Sequence, residues 1–174
     1  GSYATSLIPT SGGTVTRNKD IFTRDGIGSL INSPEGVLFV EMAALSNDST
    51  IRVISLSDGT NNNRVVLRYD NASNRVQGFI QVGGATKGDI NDNSYTITNF
   101  LKIAYKWKAG DFALWINGTE VATNTDATSF GAGVLTGMQF NEGDGAGTEY
   151  FGKVKQLQVY KTALTDDQLD DLTS

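Results

Sequence analysis

The chain contains neither cysteine nor histidine and only two prolines among its 174 residues. With no cysteine there can be no disulfide and no thiolate metal site, and redox chemistry gives no clue to the compartment. The lack of histidine removes the commonest general base and the commonest metal ligand, so an enzyme would have to work through Asp and Glu. Long apolar runs are missing as well. No segment approaches the roughly 20 residues needed to span a bilayer as a helix, and no charged-then-apolar leader opens the sequence, so membrane insertion is not expected. Positive charge is in deficit, with 14 Lys and Arg against 19 Asp and Glu and a formal net charge of -5. That balance argues against a nucleic-acid partner, because phosphate contacts usually require a basic domain.

What the chain has in quantity is alternation. Short runs of alternating polarity, bounded by Gly, Asn, Asp and Ser clusters, predict strands at GVLFVEMAAL, TIRVISLS, RVVLRYD, RVQGFIQV, FLKIAYKWK, FALWING with its continuation TEVAT, LTGMQFN and FGKVKQLQVYK. Hairpin joins are expected at Asp58-Gly59, Asn71-Ala72-Ser73-Asn74, Ala109-Gly110-Asp111 and Asn117-Gly118, the last a dipeptide favoured in type I′ turns. The helix signal is the C-terminal LTDDQLDDLTS. There Thr165 can cap, Gln168 completes a capping box, and Asp166 and Asp167 suit the positive end of the helix dipole. Leu164, Leu169 and Leu172 would pack this helix so that it closes one edge. The fold class is therefore all-β, a two-sheet antiparallel β-sandwich with a short C-terminal helix. A length of 174 residues suits one domain, able to bury roughly two-thirds of its unfolded surface. Gly1-Ser2 reads as an expression scar, leaving residues 3–174 as a single β-sandwich domain.

Side chains on a strand repeat every two positions, so each run sorts into two faces. One face collects Val65, Leu67 and Tyr69, then Val76, Gly78, Ile80 and Val82, then Leu101, Ile103, Tyr105 and Trp107, then Phe112, Leu114 and Ile116; this is the expected core. The other collects Arg64, Arg68, Gln77, Gln81, Lys102, Lys106, Trp115 and Asn117. No Asp or Glu occurs between Asn71 and Lys87 or between Asn93 and Gly110, so these strands lack counterions of their own. Like charges facing each other across strands cost about 0.2–1 kcal/mol per pair. An anionic ligand would offset that cost; solvated cations guarding sheet edges are the plainer alternative. An outward ring at Trp115 would suit the apolar face of a sugar, unless another segment packs over it. The planar amides of Gln77, Gln81 and Asn117 suit hydroxyls or carboxylates. This grouping requires the strands to lie in one sheet.

The strings KIAYKWKAGDFALWINGTEVAT and FGKVKQLQVYKTALTDDQLDDL, with the order of elements around them, resemble the laminin-G-like, concanavalin A-like jelly-roll superfamily. The first is similar to that family's paired strands, which end in an aromatic-aliphatic-Asn-Gly hairpin. The second is similar to its closing strand, which runs into an Ala-Leu-Thr/Ser-acidic helix. SLIPTSGGTVTRN resembles the lead-in of such domains in phage structural and tail-associated proteins. The resemblance implies packed antiparallel sheets in a superfamily of lectins, carbohydrate-binding modules, adhesion domains and glycoside hydrolases, among which fold alone does not choose. Its catalytic members carry a Glu-x-Asp-x-x-Glu strand that pairs carboxylates. Here the nearest approach is Glu142, Asp144 and Glu149 in NEGDGAGTE, with a different spacing and in a Gly-rich segment, so hydrolysis is not expected. Many relatives hold calcium at one edge, through several oxygen ligands. DINDNS, with Asp89, Asn91 and Asn93, begins like a calcium loop but has Ser94 and Phe100 where an EF-hand needs Gly and Glu; turn chemistry accounts for it. A structural calcium in the acidic segment 141–149 stays open, and neither a cofactor nor a metal ligand is assigned.

The expectation is a non-catalytic carbohydrate-binding module that holds an acidic polysaccharide, a uronate chain such as alginate or pectate, on one basic sheet face. Arg64, Arg68, Lys102 and Lys106 would pair with carboxylates, Trp115 would stack, and Gln77 and Gln81 would read hydroxyls, with Asn117 beside them. The alternatives are a phage or virion structural or receptor-binding domain that docks protein and, after it, a glycoside hydrolase. The expected partner is a polysaccharide, the expected state a monomer, and the expected location extracellular or virion-associated.

Overall fold

The computed structural model describes Gly12, residues 21–145 and residues 147–174. Gly1-Ser2 and, Gly12 apart, the lead-in string SLIPTSGGTVTRN lie outside the described residues. In chain order the strands are β1 (Thr23–Arg24), β2 (Glu35–Ala44), β3 (Arg52–Ser57), β4 (Arg64–Tyr69), β5 (Val76–Val82), β6 (Ala85–Asp92), β7 (Leu101–Lys108), β8 (Phe112–Ile116), β9 (Thr119–Asn124), β10 (Gly137–Gln139) and β11 (Gly152–Tyr160). The helix α1 (Asp166–Thr173) follows. Six strands form a front sheet in the order β1-β10-β3-β4-β5-β6, and five form a back sheet in the order β11-β2-β7-β8-β9. All pairings between these strands are antiparallel. The two-sheet sandwich with a C-terminal helix expected from the alternation is the fold observed.

Parity decides what lies between the sheets. Val65, Leu67 and Tyr69 of β4 and Val76 and Ile80 of β5 meet Leu38, Val40 and Met42 of β2 and Ile103, Tyr105 and Trp107 of β7. Burial of these apolar rows is the main stabilising term. The polar tips enclosed with them are satisfied. The Tyr69 hydroxyl donates to Met42 O at 3.0 Å, the Tyr105 hydroxyl to Gly88 O at 2.8 Å, and Trp107 Nε1 to Ser33 O at 2.9 Å. Burial also pushes both tyrosine pKa values up, which keeps the hydroxyls protonated as donors. The sheets approach so closely at Gly78 that a Cβ there would lie 2.3 Å from the Tyr105 ring.

The hairpin expected at Asn117-Gly118 forms, with φ of 49° and 75°, both in the left-handed region that a type I′ turn demands. Two strands escape sequence patterning, the two-residue β1 and the longer β6. The segment containing DINDNS is not a turn or a cation loop at its start, since Asp89 and Asn91 belong to β6. Its polar, Gly-containing sequence hides the strand, and a register shift opposite Gly78 and Ile80 interrupts its alternation. The helix also departs from expectation in its place. Instead of closing an edge, α1 lies on the outer face of the back sheet, with Leu169 packed among Val37, Phe39, Ala104, Ala113 and Trp115.

Candidate functional site

The outer face of the front sheet gathers four of the residues singled out in the sequence. Arg64 and Arg68 project outward from β4, and their cross-strand partners on β5 are Gln81 and Gln77. Each pair is joined by side chains as well as by register. Arg64 Nε donates to Gln81 Oε1 at 2.6 Å, and Arg68 Nε donates to Gln77 Oε1 at 2.8 Å. Gln77 in turn donates through Nε2 to Asp89 Oδ1 at 2.7 Å. Residues four apart on a strand have Cα atoms about 13 Å from each other. The guanidinium groups nevertheless converge, because Phe79 stands between them on β5, with its ring centroid 5.8 Å from Arg64 Cζ and 5.1 Å from Arg68 Cζ. Cation–π attraction draws both arginines over this one ring. Phe79 packs with Val53 and Val66 in a small apolar patch, so the arginines sit on a dry base rather than on solvated strand.

One carboxylate, that of Glu142, reaches both arginines, and a second, that of Asp70, pairs with Arg68. Arg64 Nη1 donates to Glu142 Oε2, and Arg68 Nη1 lies 4.0 Å from Glu142 Oε1. Arg68 also pairs with Asp70 at 3.0 Å, and Arg75 reaches the other oxygen of Asp70 at 3.4 Å. The side chains of Arg64 and Arg68 are only 9% and 18% exposed, so these pairs are far less screened than ordinary surface ion pairs. Glu142 comes from the acidic segment 141–149, whose residues 141–143 lie against the outer face of β3. Ser55 Oγ donates to Asn141 O at 2.8 Å, Ser57 Oγ to Gly143 O at 2.9 Å, and Gly145 N to Gln139 Oε1 at 3.1 Å.

The other four residues do not join this face. Lys102, Lys106, Trp115 and Asn117 lie on the outer side of the back sheet, because the chain leaves the front sheet after β6 and returns to β2 for β7 and β8. The premise of one continuous basic sheet is thereby corrected. Trp115 and Lys106 of this second group are buried beside helix α1, Lys102 is partly buried, and Asn117 is exposed. Trp115 is 7% exposed and packed against Leu169, so it presents no ring for stacking. Lys106 is buried and pairs with Asp111 at 2.7 Å and with Asp166 of α1 at 3.5 Å. Lys102 Nζ donates to Ser174 O, and Asn117 Oδ1 accepts from Lys102 N at 2.9 Å.

The inferred shortage of counterions is corrected too. Glu142 and Asp166 come from segments far along the chain, where a count along each strand cannot see them, and Asp70 and Asp111 stand immediately beyond the ends of the two acid-free stretches. Among the described residues no cluster of acidic side chains is arranged to hold a metal ion. Two contributors were legible but not selected: Phe79 shares outward parity with Gln77 and Gln81, and Glu142 stood out as acidic without any sign of its partner. A separate groove opens at one end of the sandwich, lined by Leu45, Phe140, Tyr150 and Phe151. There the Phe151 ring covers the buried Arg52 at 4.5 Å. Hydrogen bonds from Ser46 and then Arg52 hold Asp48 well below the usual carboxylate range.

A family model described as the concanavalin A-like lectin/glucanases superfamily matches residues 38–170. Comparison with curated proteins returns no match. Among solved structures, the chain is similar to the CBM40 of the Ruminococcus gnavus IT-sialidase bound to α2,3 sialyllactose, with TM-score 0.72, 19% identity, and coverage of 90% of this chain and 97% of that one. It is also similar to domain 4 of AbnA, a GH43 extracellular arabinanase from Geobacillus stearothermophilus, in complex with arabinotriose, with TM-score 0.65, 15% identity, and coverage of 87% and 70%. A heptameric SAP-like pentraxin from Limulus polyphemus aligns with TM-score 0.65, 16% identity, and coverage of 92% and 78%. At these identities the likeness is one of fold.

Proposed function

Because the chain belongs to the concanavalin A-like lectin/glucanases superfamily, we propose that it is a non-catalytic carbohydrate-binding module that holds a carboxylate-bearing sugar on the outer face of its front sheet. The observation that carries this reading is the convergence of Arg64 and Arg68 over Phe79 onto one carboxylate. A planar guanidinium offers paired N–H groups that match a carboxylate edge to edge. Each arginine is already fixed through Nε by a glutamine, so little side-chain entropy is lost on binding. Gln77 uses both ends of its amide internally and acts as a clamp rather than a reader of hydroxyls. Uronate chains such as alginate and pectate fall in this ligand class. So does the sialyllactose bound to the similar CBM40 structure, whose sialic acid bears a carboxylate.

The test is a binding screen by calorimetry across oligouronates, sialosides and neutral glucans, with Arg68→Ala and Arg68→Lys beside the unaltered chain. Acidic glycans are expected to bind in preference, and Arg68→Ala to weaken them about tenfold or more, equivalent to about 1.4 kcal/mol. Arg68→Lys keeps the charge but loses the fork, so it is expected to fall between. No reducing ends are expected from polysaccharide left with the protein. Neutral glucans binding as tightly as uronates and sialosides, or an Arg68→Ala chain that binds unchanged, would remove this reading.

A further inference from the structure

The arginine pair is already occupied by a carboxylate of the chain itself. Glu142 accepts from Arg64 Nη1 through Oε2 and lies 4.0 Å from Arg68 Nη1 through Oε1, so it fills the position that a bridging ligand carboxylate would take. The main chain on either side of it is held to the sheet by Ser55 and Ser57, which donate to Asn141 O and Gly143 O, and Arg64 Nη1 also donates to Glu142 O. The side chain has a lighter hold. Apart from the arginines, its carboxylate accepts from Thr148 Oγ1 at 2.8 Å, a contact within the same segment. Rotation about the Glu142 side-chain bonds can therefore free the arginines while the backbone stays anchored.

Resting on the reading above, we propose that Glu142 determines the specificity of this site by acting as an internal competitor, a tethered carboxylate that an incoming sugar acid must displace from Arg64 and Arg68. The exchange is like for like. One carboxylate leaves as another arrives, so Arg64 is not left uncompensated in the liganded state, while Arg68 keeps its pair with Asp70 throughout. A group tethered by a short segment competes at an effective concentration in the millimolar range or above. A lone carboxylate in solution has no further contact with which to win that exchange. A sugar ring can add its apolar face over the Phe79 patch and its hydroxyls beside Gln81, and so displaces Glu142 where a simple anion does not.

Glu142→Gln keeps the shape and removes the competing charge; Thr148→Val loosens the carboxylate and leaves the charge in place. The probes are trigalacturonate, 3′-sialyllactose and sodium acetate, followed by calorimetry and by the NMR shift of the Arg68 Nε–H. Glu142→Gln is expected to tighten the acidic glycan that the unaltered chain binds by threefold or more and to make acetate binding visible. Thr148→Val is expected to give a smaller gain in the same direction. If the unaltered chain binds an acidic glycan and Glu142→Gln binds it equally or more weakly, Glu142 is no competitor and the binding-module reading stands without it. If neither chain binds any of the acidic probes, both fail together.

Discussion

Trp115 buries its ring among Val37, Phe39, Ala104, Ala113 and Leu169, yet among the described residues its enclosed indole nitrogen has no hydrogen-bond partner. Two opposing terms follow. Loss of a buried aromatic ring costs about 3–5 kcal/mol, whereas an unsatisfied buried N–H already costs about 1–3 kcal/mol in the folded state. Trp115→Ala is therefore expected to lower the unfolding free energy in urea by about 2 kcal/mol. Trp115→Phe, which keeps a ring and discards the N–H, is expected to cost less than about 1 kcal/mol and to leave glycan binding unaltered. Weaker glycan binding by a folded Trp115→Phe chain would put this face back into recognition. Parity read from the sequence set Trp115 on the correct side of β8. What covers that side was not legible, because the covering residue, Leu169, arrives with a helix more than fifty residues later.

That helix, α1, is only eight residues long and would be marginal by itself. Its ends are well specified locally: Thr165 N donates to Gln168 Oε1 at 3.0 Å, Gln168 N donates to Thr165 Oγ1 at 3.4 Å, and Asp166 and Asp167 fill the first turn. Thr165→Ala is expected to cost about 1 kcal/mol. Because fraying of α1 uncovers Trp115, the same variant should show a red-shifted tryptophan emission below its unfolding transition; an unshifted spectrum would mean that Leu169 alone holds the helix down. Capping chemistry and period-two alternation made α1, β2, β4, β5, β7 and β8 readable, since both signals are local. The allocation of strands to sheets is not local. Period two says which way Lys106 and Arg68 point from their strands but not that β7 returns to β2 instead of extending the sheet from β6. Alternation alone therefore merges the arginine and lysine rows, which the fold sets on two different sheets.

For the molecule as a whole, the core of both sheets is apolar and continuous, and among the described residues no acidic cluster is set to hold a cation. Folding stability is thus expected not to depend on metal. Chelation should leave the melting temperature within about 1 °C; a fall of about 5 °C or more would reveal a bound structural ion, because a ligand of the native state stabilises by mass action. The topology also orders events in time. Strands β3 to β6 are neighbours both in sequence and in the front sheet, so this meander can assemble as it leaves the ribosome. By contrast, β2 must wait for β11 to cover its second edge. Arg64 precedes Glu142 by 78 residues, an interval of roughly 4–16 s at ordinary rates of synthesis. For those seconds the nascent chain carries its guanidinium pair without the glutamate that later shields it, next to the phosphate-rich surface of the ribosome.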